Sequence, residues 1–289
     1  MRIKLVCCIL IIFALAACSS LRKPPQPQAK SNADNIWLIA NQQELSGRKE
    51  IALSNYRLAL NHFRGFAGIE GEMFALSGIA RINFDAGNIA EYDSIRQSMI
   101  WIIEKIDPKQ RYIFTLLDLH VLMKQADYAG IAALAKDDKA LAPSARLQTL
   151  SYRLQADARL RKANPNDARE LAKLAKKTGR RLAKSNPILA HDTARAHYAL
   201  AYYHYSIKAF ATAGKHIAKS LELDYLYEDF QSLGYAHWLA AKIAFAQNRS
   251  ADAISLLMKA RRIFTAFGDP AMLMIVEADL KLIEKGDKQ

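Results

Sequence analysis

The sequence contains few cysteines, and their positions limit what thiols can contribute. There are three, Cys7, Cys8 and Cys18, and all lie within the first 18 of the 289 residues. Residues 19–289 therefore offer no thiol for a disulfide, for a cysteine-ligated metal site or for nucleophilic catalysis. This part of the chain must be held together by packing and non-covalent polar contacts.

The sequence also lacks the local motifs that mark common catalytic sites. It has no glycine-rich phosphate loop, no Gly-x-Ser-x-Gly elbow and no His-Glu-x-x-His pair. Its carboxylates are scattered, and no pair stands out for acid–base catalysis. Five of the seven histidines lie between 191 and 237; a zinc site needs three or four converging ligands, and packed or partly exposed histidines are the alternative. We therefore expect a non-enzymatic protein without a metal ion or cofactor.

A third absence is that of strand patterning, which leaves helices as the building elements. Runs of β-branched residues are few, and no alternating stretch is long enough for a strand. In residues 193–227, by contrast, side chains recur at helical steps of three and four, as in Tyr198, Tyr202 and Tyr205. This stretch predicts two amphipathic helices joined by a short turn.

Helix boundaries are marked by Asp-Pro and Asn-Pro pairs. In such a pair the Asp or Asn side chain can cap a helix, and proline takes the first helical position, where its missing N–H costs nothing. Turns are indicated at Gly47 and at residues 85–88. We predict about thirteen helices, arranged as six pairs plus a last helix from Pro270 to about Lys285. The four pairs are Asp107-Pro108, Asn164-Pro165, Asn186-Pro187 and Asp269-Pro270.

Six sets of residues resemble the tetratricopeptide repeat, in which small residues let paired helices approach closely and a bulky residue fills the groove. Their first members are 38 to 45 residues apart, more than the family's spacing of about 34. The resemblance implies an all-α, right-handed superhelical solenoid of antiparallel helix pairs over residues 34–285. The sets are Ala40, Ala52, Tyr56 and Ala59; Gly78, Ala90, Ser94 and Gln97; Leu117, Ala129, Ala133 and Lys136; Ala156, Ala168, Ala172 and Ala175; Ala201, Ala213, Ile217 and Ser220; and Ala241, Ala253, Leu257 and Ala260.

Residues 1–17 have the features of a targeting segment. Arg2 and Lys4 supply positive charge, and an apolar run too short to span a bilayer comfortably follows. The sequence Leu-Ala-Ala-Cys that ends at Cys18 resembles a bacterial lipoprotein box; the alternative is an ordinary secretory peptide with a chance cysteine. The resemblance implies that residues 1–17 are removed and that Cys18 is lipidated. With Ser19 next, it also implies the outer membrane, on its periplasmic side.

Between the predicted anchor and the helices, the composition is that of a spacer. Residues 18–33 contain Pro24, Pro25 and Pro27 among polar residues, which favours extended polyproline geometry. We therefore predict a flexible tether at 18–33, a helical domain at 34–285 and a short tail at 286–289. After removal of residues 1–17, 272 residues remain, and a solenoid of that length can be one continuous domain.

Acidic residues are the minority, 28 against 41 basic ones, and the excess is concentrated in residues 159–184. Only Asp167 and Glu170 oppose ten basic residues there. Anionic lipid or lipopolysaccharide, an acidic protein and nucleic acid are candidate ligands, and a solvated helix face is the structural alternative. Export argues against nucleic acid, as does the lack of interleaved aromatic residues. Six of the basic residues form one helical stripe: Lys173, Lys176, Lys177, Arg180, Arg181 and Lys184.

Seven of the twelve tyrosines lie between 198 and 235, which suggests a binding groove. Tyrosine and tryptophan bury much area while keeping a polar group, and arginine adds directed hydrogen bonds, a mixture typical of binding hot spots. The alternative is that these rings only fill the space between helices. The resemblance implies that first helices line a concave surface, which would be formed here by Arg195, Tyr198, Tyr202, Tyr205, Tyr235, Trp238, Lys242 and Phe245.

Together these features predict a membrane-anchored adaptor that holds another envelope protein, or a peptide segment of it, in an aromatic groove. The alternative is a binder of an anionic envelope polymer or lipid through the basic face at 159–184. The oligomeric state is left open.

Overall fold

The computed structural model describes residues 28–135, 141–162, 164–182 and 187–286, and for residues 180–182, 187, 285 and 286 it describes the backbone only. The predicted signal peptide, Cys18 and residues 19–27 of the predicted tether lie outside this part. The described chain is all-helical, as predicted, with thirteen α-helices, one short 3-10 helix and no strand. None of these helices has both the length and the apolarity needed to cross a membrane.

The thirteen helices follow one another as six pairs and a last single helix, which confirms the predicted count. They are α1 (Gln28–Leu45), α2 (Lys49–Gly65), α3 (Ile69–Asp85), α4 (Ile89–Lys105), α5 (Arg111–Lys124), α6 (Tyr128–Leu134), α7 (Pro143–Arg159), α8 (Pro165–Leu182), α9 (Pro187–Ser206), α10 (Phe210–Leu226), α11 (Phe230–Ala246), α12 (Ser250–Phe267) and α13 (Pro270–Gly286). Helix α1 begins at Gln28, so the tether predicted up to residue 33 is wrong for residues 28–33. Ala33 is already buried against α2 and its neighbours.

The Asp-Pro and Asn-Pro pairs begin helices because their side chains accept the first free N–H groups. Asn164 accepts the N–H of Asn166 at 2.9 Å, and Asp269 accepts that of Met272 at 3.0 Å. Asp107 opens the short 3-10 helix Pro108–Gln110, which continues directly into α5. The capping side chain of Asn186 lies outside the described residues, although α9 does begin at Pro187.

Nine of the turns share one backbone design. Each contains a residue in the left-handed region, with φ between 55° and 83°, and the next N–H bonds to the carbonyl five residues earlier at 2.8 to 3.0 Å. This hydrogen bond satisfies a carbonyl that the ending helix leaves free, and it reverses the chain over few residues. The nine left-handed residues are Gly47, Ala67, Gly87, Ala126, Arg161, Lys208, Glu228, Asn248 and Gly268.

Packing follows the chain, since every helix contacts the next one. The first helices of successive pairs, α1, α3, α5, α7, α9 and α11, also contact one another. The second helices make no comparable contacts within the described residues. The array therefore curves, with the first helices on its inner side and the second helices splayed on its outer side. This arrangement is that of a helical repeat.

The predicted repeat positions are buried in some units and exposed in others. All four members are buried in the first, fifth and sixth sets, where small residues let the paired helices approach closely. In the second set, Ser94 and Gln97 are exposed, and the buried positions of α4 are held by Tyr92, Ile95 and Met99 instead. In the third set, Ala129 and Ala133 are exposed, while Ile131 and Ala135 are buried. The predicted register of α4 and α6 is therefore wrong.

The first and last units of the array meet. Helix α1 contacts α11, and Gln42 Nε2 donates a hydrogen bond of 2.9 Å to the backbone carbonyl of Tyr227, 185 residues away. The turn at Gly47 packs on the ring of Phe267 so closely that a Cβ there would lie 2.5 Å from a ring carbon. The curvature of six pairs thus brings the beginning of the described chain against its end.

Helix α13 covers the end of the array with Met272, Val276, Leu280 and Ile283, all of which are buried. Its outer face carries large apolar side chains as well. Met274 is 72% exposed, and Leu282 and Ile275 are exposed as well. The last helix therefore has apolar side chains on two faces.

Candidate functional site

Polar side chains on the first helices connect successive units along the inner side of the array. Arg81 of α3 forms a two-pronged ion pair with Glu44 of α1, at 2.6 and 2.9 Å. His120 of α5 lies 3.1 Å from the carboxylate of Asp85. Burial alone would raise the pKa of Asp85, but the hydrogen bond and the charge of His120 outweigh it and lower that pKa to about 2. The inner side is thus a polar and aromatic surface on a tightly packed support.

Three tyrosines of α9 lie side by side on this surface. Tyr198, Tyr202 and Tyr205 are all half-buried, and their rings pack against the apolar core of the last units. None of their hydroxyls bonds to another described residue, so each is available to a ligand. The rings thus fill space between helices in part, and their use in binding stays a prediction.

The predicted groove residues of α11 are more engaged. Tyr235 donates to Asp269 at 3.1 Å, and Trp238 donates to Asp279 of α13 at 2.8 Å. Lys242 pairs with the same Asp279 at 3.2 Å. Trp238 is buried, with 8% of its surface exposed, so its ring fills space between helices. Tyr235 and Lys242 remain half-buried at the surface.

Arg195 is also held by its own chain. Its guanidinium lies over the ring of Tyr152, 5.3 Å from the centroid, and donates to the hydroxyl of that tyrosine at 3.3 Å. It also contacts Gln148 and the Nε2 atom of His191. These contacts connect α9 to α7. Arg195 therefore supports the groove structurally.

A cleft of about 170 Å³ opens where α9, α11, α12 and α13 meet. Tyr205, Lys242 and Phe245 line it, together with Asp279 and Leu282 of the last helix. Phe245 and Leu282 are exposed, at 36% and 59%. The cleft therefore combines an apolar floor with one ion pair and one free hydroxyl, which suits an apolar side chain flanked by polar backbone.

Arg159 also lies beside the groove tyrosines, although its position in the sequence had grouped it with the basic run at 159–184. It ends α7, and its guanidinium lies between two rings, 4.9 Å from the centroid of Tyr128 and 4.7 Å from that of Tyr202. The rings belong to α6 and α9, so three helices build this arrangement. Nothing in the sequence pairs Arg159 with tyrosines 31 and 43 positions away.

Asp224 and Asp229 form a buried pair that the sequence did not indicate. Each is only 1% exposed, at the turn between α10 and α11. Burial and the neighbouring Asp229 raise the pKa of Asp224 to about 8. Burial opposes ionisation of Asp229, but His191, whose Nδ1 lies 2.5 Å away, outweighs it and lowers the pKa of that carboxyl. Asp229 also caps α11 by accepting the N–H of Ser232 at 3.0 Å. The pair anchors the turn.

Three of the clustered histidines meet between α9 and α10. The Nδ1 atoms of His197 and His216 are 3.0 Å apart, and the ring of His204 stacks on that of His216 with centroids 5.5 Å apart. No group of three or more histidine, cysteine, aspartate or glutamate residues in the described part is arranged to hold a metal ion. Burial and then mutual repulsion lower the pKa of His197 to about 4, and burial and then His204 lower that of His216 to about 4.

These shifts predict that the protein loses stability in mild acid. An unfolded histidine binds a proton near pH 6.5, whereas these two bind one only near pH 4 in the folded state. Stability should therefore fall as the pH drops from about 6.5 to about 4, by about 2–4 kcal/mol for the pair. Urea unfolding followed by circular dichroism across this range measures the loss.

The variant His197→Gln/His216→Gln should show a shallower loss over the same pH range, because neither glutamine can bind a proton. His62→Gln is the matched control, since His62 is exposed on α2 and its replacement should leave the pH profile unchanged. Parallel profiles for the double variant and the native chain would show that other groups cause the acid sensitivity.

The described part of the predicted basic stripe lies on the outer side. Lys173, Lys176 and Lys177 are exposed on α8, a second helix. The two acidic residues of the run pair with arginines of α7, since Glu170 accepts from Arg146 at 2.7 Å and Asp167 lies 3.1 Å from Arg153. The exposed lysines are therefore left without a carboxylate partner from their own helix. The side chains of Arg180 and Arg181 and all of Lys184 lie outside the described residues.

Comparison with known proteins adds no family to this picture: no family model matches the chain, and neither does any curated protein.

Proposed function

We propose that this protein is a non-enzymatic adaptor that holds an envelope protein, or a peptide segment of one, on the inner side of a solenoid resembling tetratricopeptide repeats. The proposed solenoid is right-handed, as the resemblance implies. In this proposal, Cys18 carries the lipid that anchors the protein to the periplasmic side of the outer membrane. Residues 19–27, with their three prolines, form the remaining tether.

The observation that carries the proposal is the cleft bordered by Tyr205, Lys242 and Phe245. Its lining residue Tyr205 follows Tyr202 by about one turn of α9, and Tyr198 lies one turn before Tyr202. Exposed aromatic rings next to a small apolar cleft are the features with which rigid surfaces bind extended peptide segments or helices. Because the supporting side chains are locked by ion pairs and ring contacts, the surface is pre-organised, which reduces the entropy lost on binding.

The test is affinity capture after cross-linking in intact envelopes with the full-length protein. We expect the variant Tyr205→Ala/Phe245→Ala to recover a specific partner roughly tenfold less efficiently than the native chain, because truncated hot-spot aromatics typically cost 1–2 kcal/mol or more in binding. Mass spectrometry of the captured proteins, normalised to the amount of bait, measures the ratio. Both side chains are partly exposed, so the variant should fold.

Trp101→Ala is the matched control for this assay. Trp101 is 57% exposed on α4, a second helix, and its removal deletes a comparable ring from the outer side. Recovery should be unchanged in this variant. Equal recovery with all three forms would show that the groove is not the binding surface, and turnover of an envelope substrate that depends on one histidine or carboxylate would contradict the non-enzymatic assignment.

A second candidate function is the binding of an anionic envelope polymer or lipid by the exposed lysines of α8. The ion pairs of Asp167 and Glu170 with α7 favour it, because they engage both carboxylates of the run and leave the exposed lysines of α8 unpaired within their own helix. The variant Lys173→Glu/Lys176→Glu separates the two functions in the same envelopes. Binding of the anionic polymer or lipid lost in this variant, with partner capture intact, would favour the basic face, whereas unchanged polymer binding would contradict it.

A further inference from the structure

Among the three groove cations in the described part, Arg159, Arg195 and Lys242, only Arg159 has a charged group without a polar partner in its own chain. Arg195 is occupied by Gln148, Tyr152 and His191, and Lys242 is paired with Asp279. Arg159 forms no ion pair or hydrogen bond with any described residue, although it is held in place by two aromatic contacts. A guanidinium that is held over aromatic rings can still donate its N–H groups to an anion.

The groups around Arg159 suit an anion with an apolar neighbour. The hydroxyls of Tyr128, Tyr198 and Tyr202 form no hydrogen bond with the described residues. Burial, partly offset by Arg159, raises the pKa of Tyr198 and Tyr202, so both hydroxyls stay protonated and can donate. Tyr202 and Tyr205 are three residues apart on α9, about 4.5 Å along the helix axis. The stacked arginine and the apolar cleft are therefore within the span of two or three residues of an extended chain.

We propose that Arg159, whose guanidinium lies over the rings of Tyr128 and Tyr202, is the anion-binding centre of the groove. It binds the side-chain carboxylate of an aspartate or glutamate within an extended peptide segment, and a neighbouring apolar side chain of that segment enters the cleft at Tyr205 and Phe245. This inference rests on the proposed function of the groove and specifies the chemistry of the partner. The fork of an arginine matches a carboxylate through two parallel hydrogen bonds, which gives direction as well as affinity.

An internal acidic segment fits this surface better than a lipid layer does. The arginine ends the first helix α7 and contacts rings of α6 and α9, whereas a flat anionic layer would first meet the exposed lysines of α8. A peptide can enter the curve and place alternate side chains at the arginine and in the cleft.

The experiment selects a displayed library of random peptides, flanked on both sides by constant sequence, on the immobilised full-length protein. We expect the enriched peptides to carry aspartate or glutamate one or two positions from an aromatic or aliphatic residue. Fluorescence anisotropy of a synthetic enriched peptide then gives Kd for each variant. Arg159→Gln should weaken binding roughly 10- to 100-fold, since a charge-assisted hydrogen-bonded pair contributes about 1.5–3 kcal/mol. Arg159→Lys keeps the charge but loses the planar fork, so it should fall in between.

Arg161→Gln is the matched control, because Arg161 is an exposed arginine two residues further on and should change Kd by less than about twofold. Enriched peptides that lack acidic residues, with Kd unchanged by Arg159→Gln, would overturn the anion site and leave the groove function standing. Equal weakening by Arg161→Gln would reduce the effect to non-specific charge and overturn the site. If inorganic phosphate displaced the peptide efficiently, the ligand of Arg159 would be a phosphate group, and the proposed carboxylate would be wrong. If the native protein enriched no peptides beyond those selected on the immobilised Tyr205→Ala/Phe245→Ala variant, both the anion site and the groove function would be overturned.

Discussion

Replacing Glu44 by alanine is expected to lower the free energy of unfolding by about 2–4 kcal/mol, because it removes the acceptor of two donors at once. Tyr56 is fully buried, and its hydroxyl donates to Glu44 at 2.6 Å. Arg81 donates to both oxygens of the same carboxylate. Only 26% of the Arg81 side chain and 17% of the Glu44 side chain are exposed. Burial alone would raise the pKa of Glu44, but Arg81 and then Tyr56 hold it below its usual value. Urea unfolding at neutral pH measures the effect.

Glu91→Ala provides the comparison, because Glu91 also forms an ion pair, with Arg57 at 3.5 Å, but both side chains are half exposed. Water and salt screen that pair, so its loss should cost no more than about 1 kcal/mol. The double replacement Glu44→Met/Arg81→Met should recover part of the stability lost in Glu44→Ala, because it leaves no unpaired charge behind. Equal losses for Glu44→Ala and Glu91→Ala would show that the inner pair contributes nothing beyond an exposed one.

Gly47→Ala should also destabilise the fold by about 2–4 kcal/mol, from two separate causes. Gly47 has φ of +83°, where a side chain costs about 1–2 kcal/mol. A new Cβ would also lie 2.5 Å from the ring of Phe267, and such overpacking typically costs 1–3 kcal/mol. The second cause acts only if the first unit really packs against the last ones.

A comparison with Gly87→Ala isolates that second cause, because Gly87→Ala carries only the backbone cost. Gly87 has a similar φ of +77°, but no atom lies within 4 Å of the position its Cβ would take. Both variants should lose the backbone contribution, and only Gly47→Ala should lose more. Spin labels at Gln43 and Glu228 would report the separation of the two ends, which we expect to widen in Gly47→Ala alone. Identical unfolding midpoints for the two variants would contradict the contact between the first unit and Phe267.

Most of the fold could be predicted because its signals are local. Asn164 and Asp269 cap helices that begin at the following proline, and helical spacing marks α9 and α10 within a few residues. The turns were harder, since only three of the nine left-handed positions are glycines. At Ala67 or Lys208 the turn requires a conformation that the residue type does not favour, and the hydrogen bond from the next N–H closes it.

The register of the second helices was predicted well only where the small residues of the repeat pattern recur. In α4, the pattern pointed to Ser94, yet Tyr92, Ile95 and Met99 face the core. The larger side chains contribute more buried apolar area than a serine can, so they determine which face of α4 turns inward. A pattern taken from small residues cannot detect that competition, because it depends on the space left by neighbouring helices.

In the candidate site, too, features set by neighbouring residues could be predicted, whereas contacts between residues far apart in the chain could not. The tyrosines of α9 share a face by helical geometry alone, so their grouping could be predicted. The partners of Trp238 and Lys242 could not, because Asp279 is 41 and 37 residues away from them. Charge composition grouped Arg159 with the lysines of α8, whereas the fold places it between two tyrosine rings. Its environment depends on how three helices cross.

The contact between Gln42 and Tyr227 makes the number of units a property on which selection can act. Open repeat arrays change length by duplication or loss of a unit, since each unit depends only on its neighbours. Here an inserted pair of helices would carry the first unit past the carbonyl of Tyr227, and a deleted pair would leave it short. Substitutions within the units can therefore accumulate one by one. A change in the number of units would also require new contacts between the first unit and the last ones.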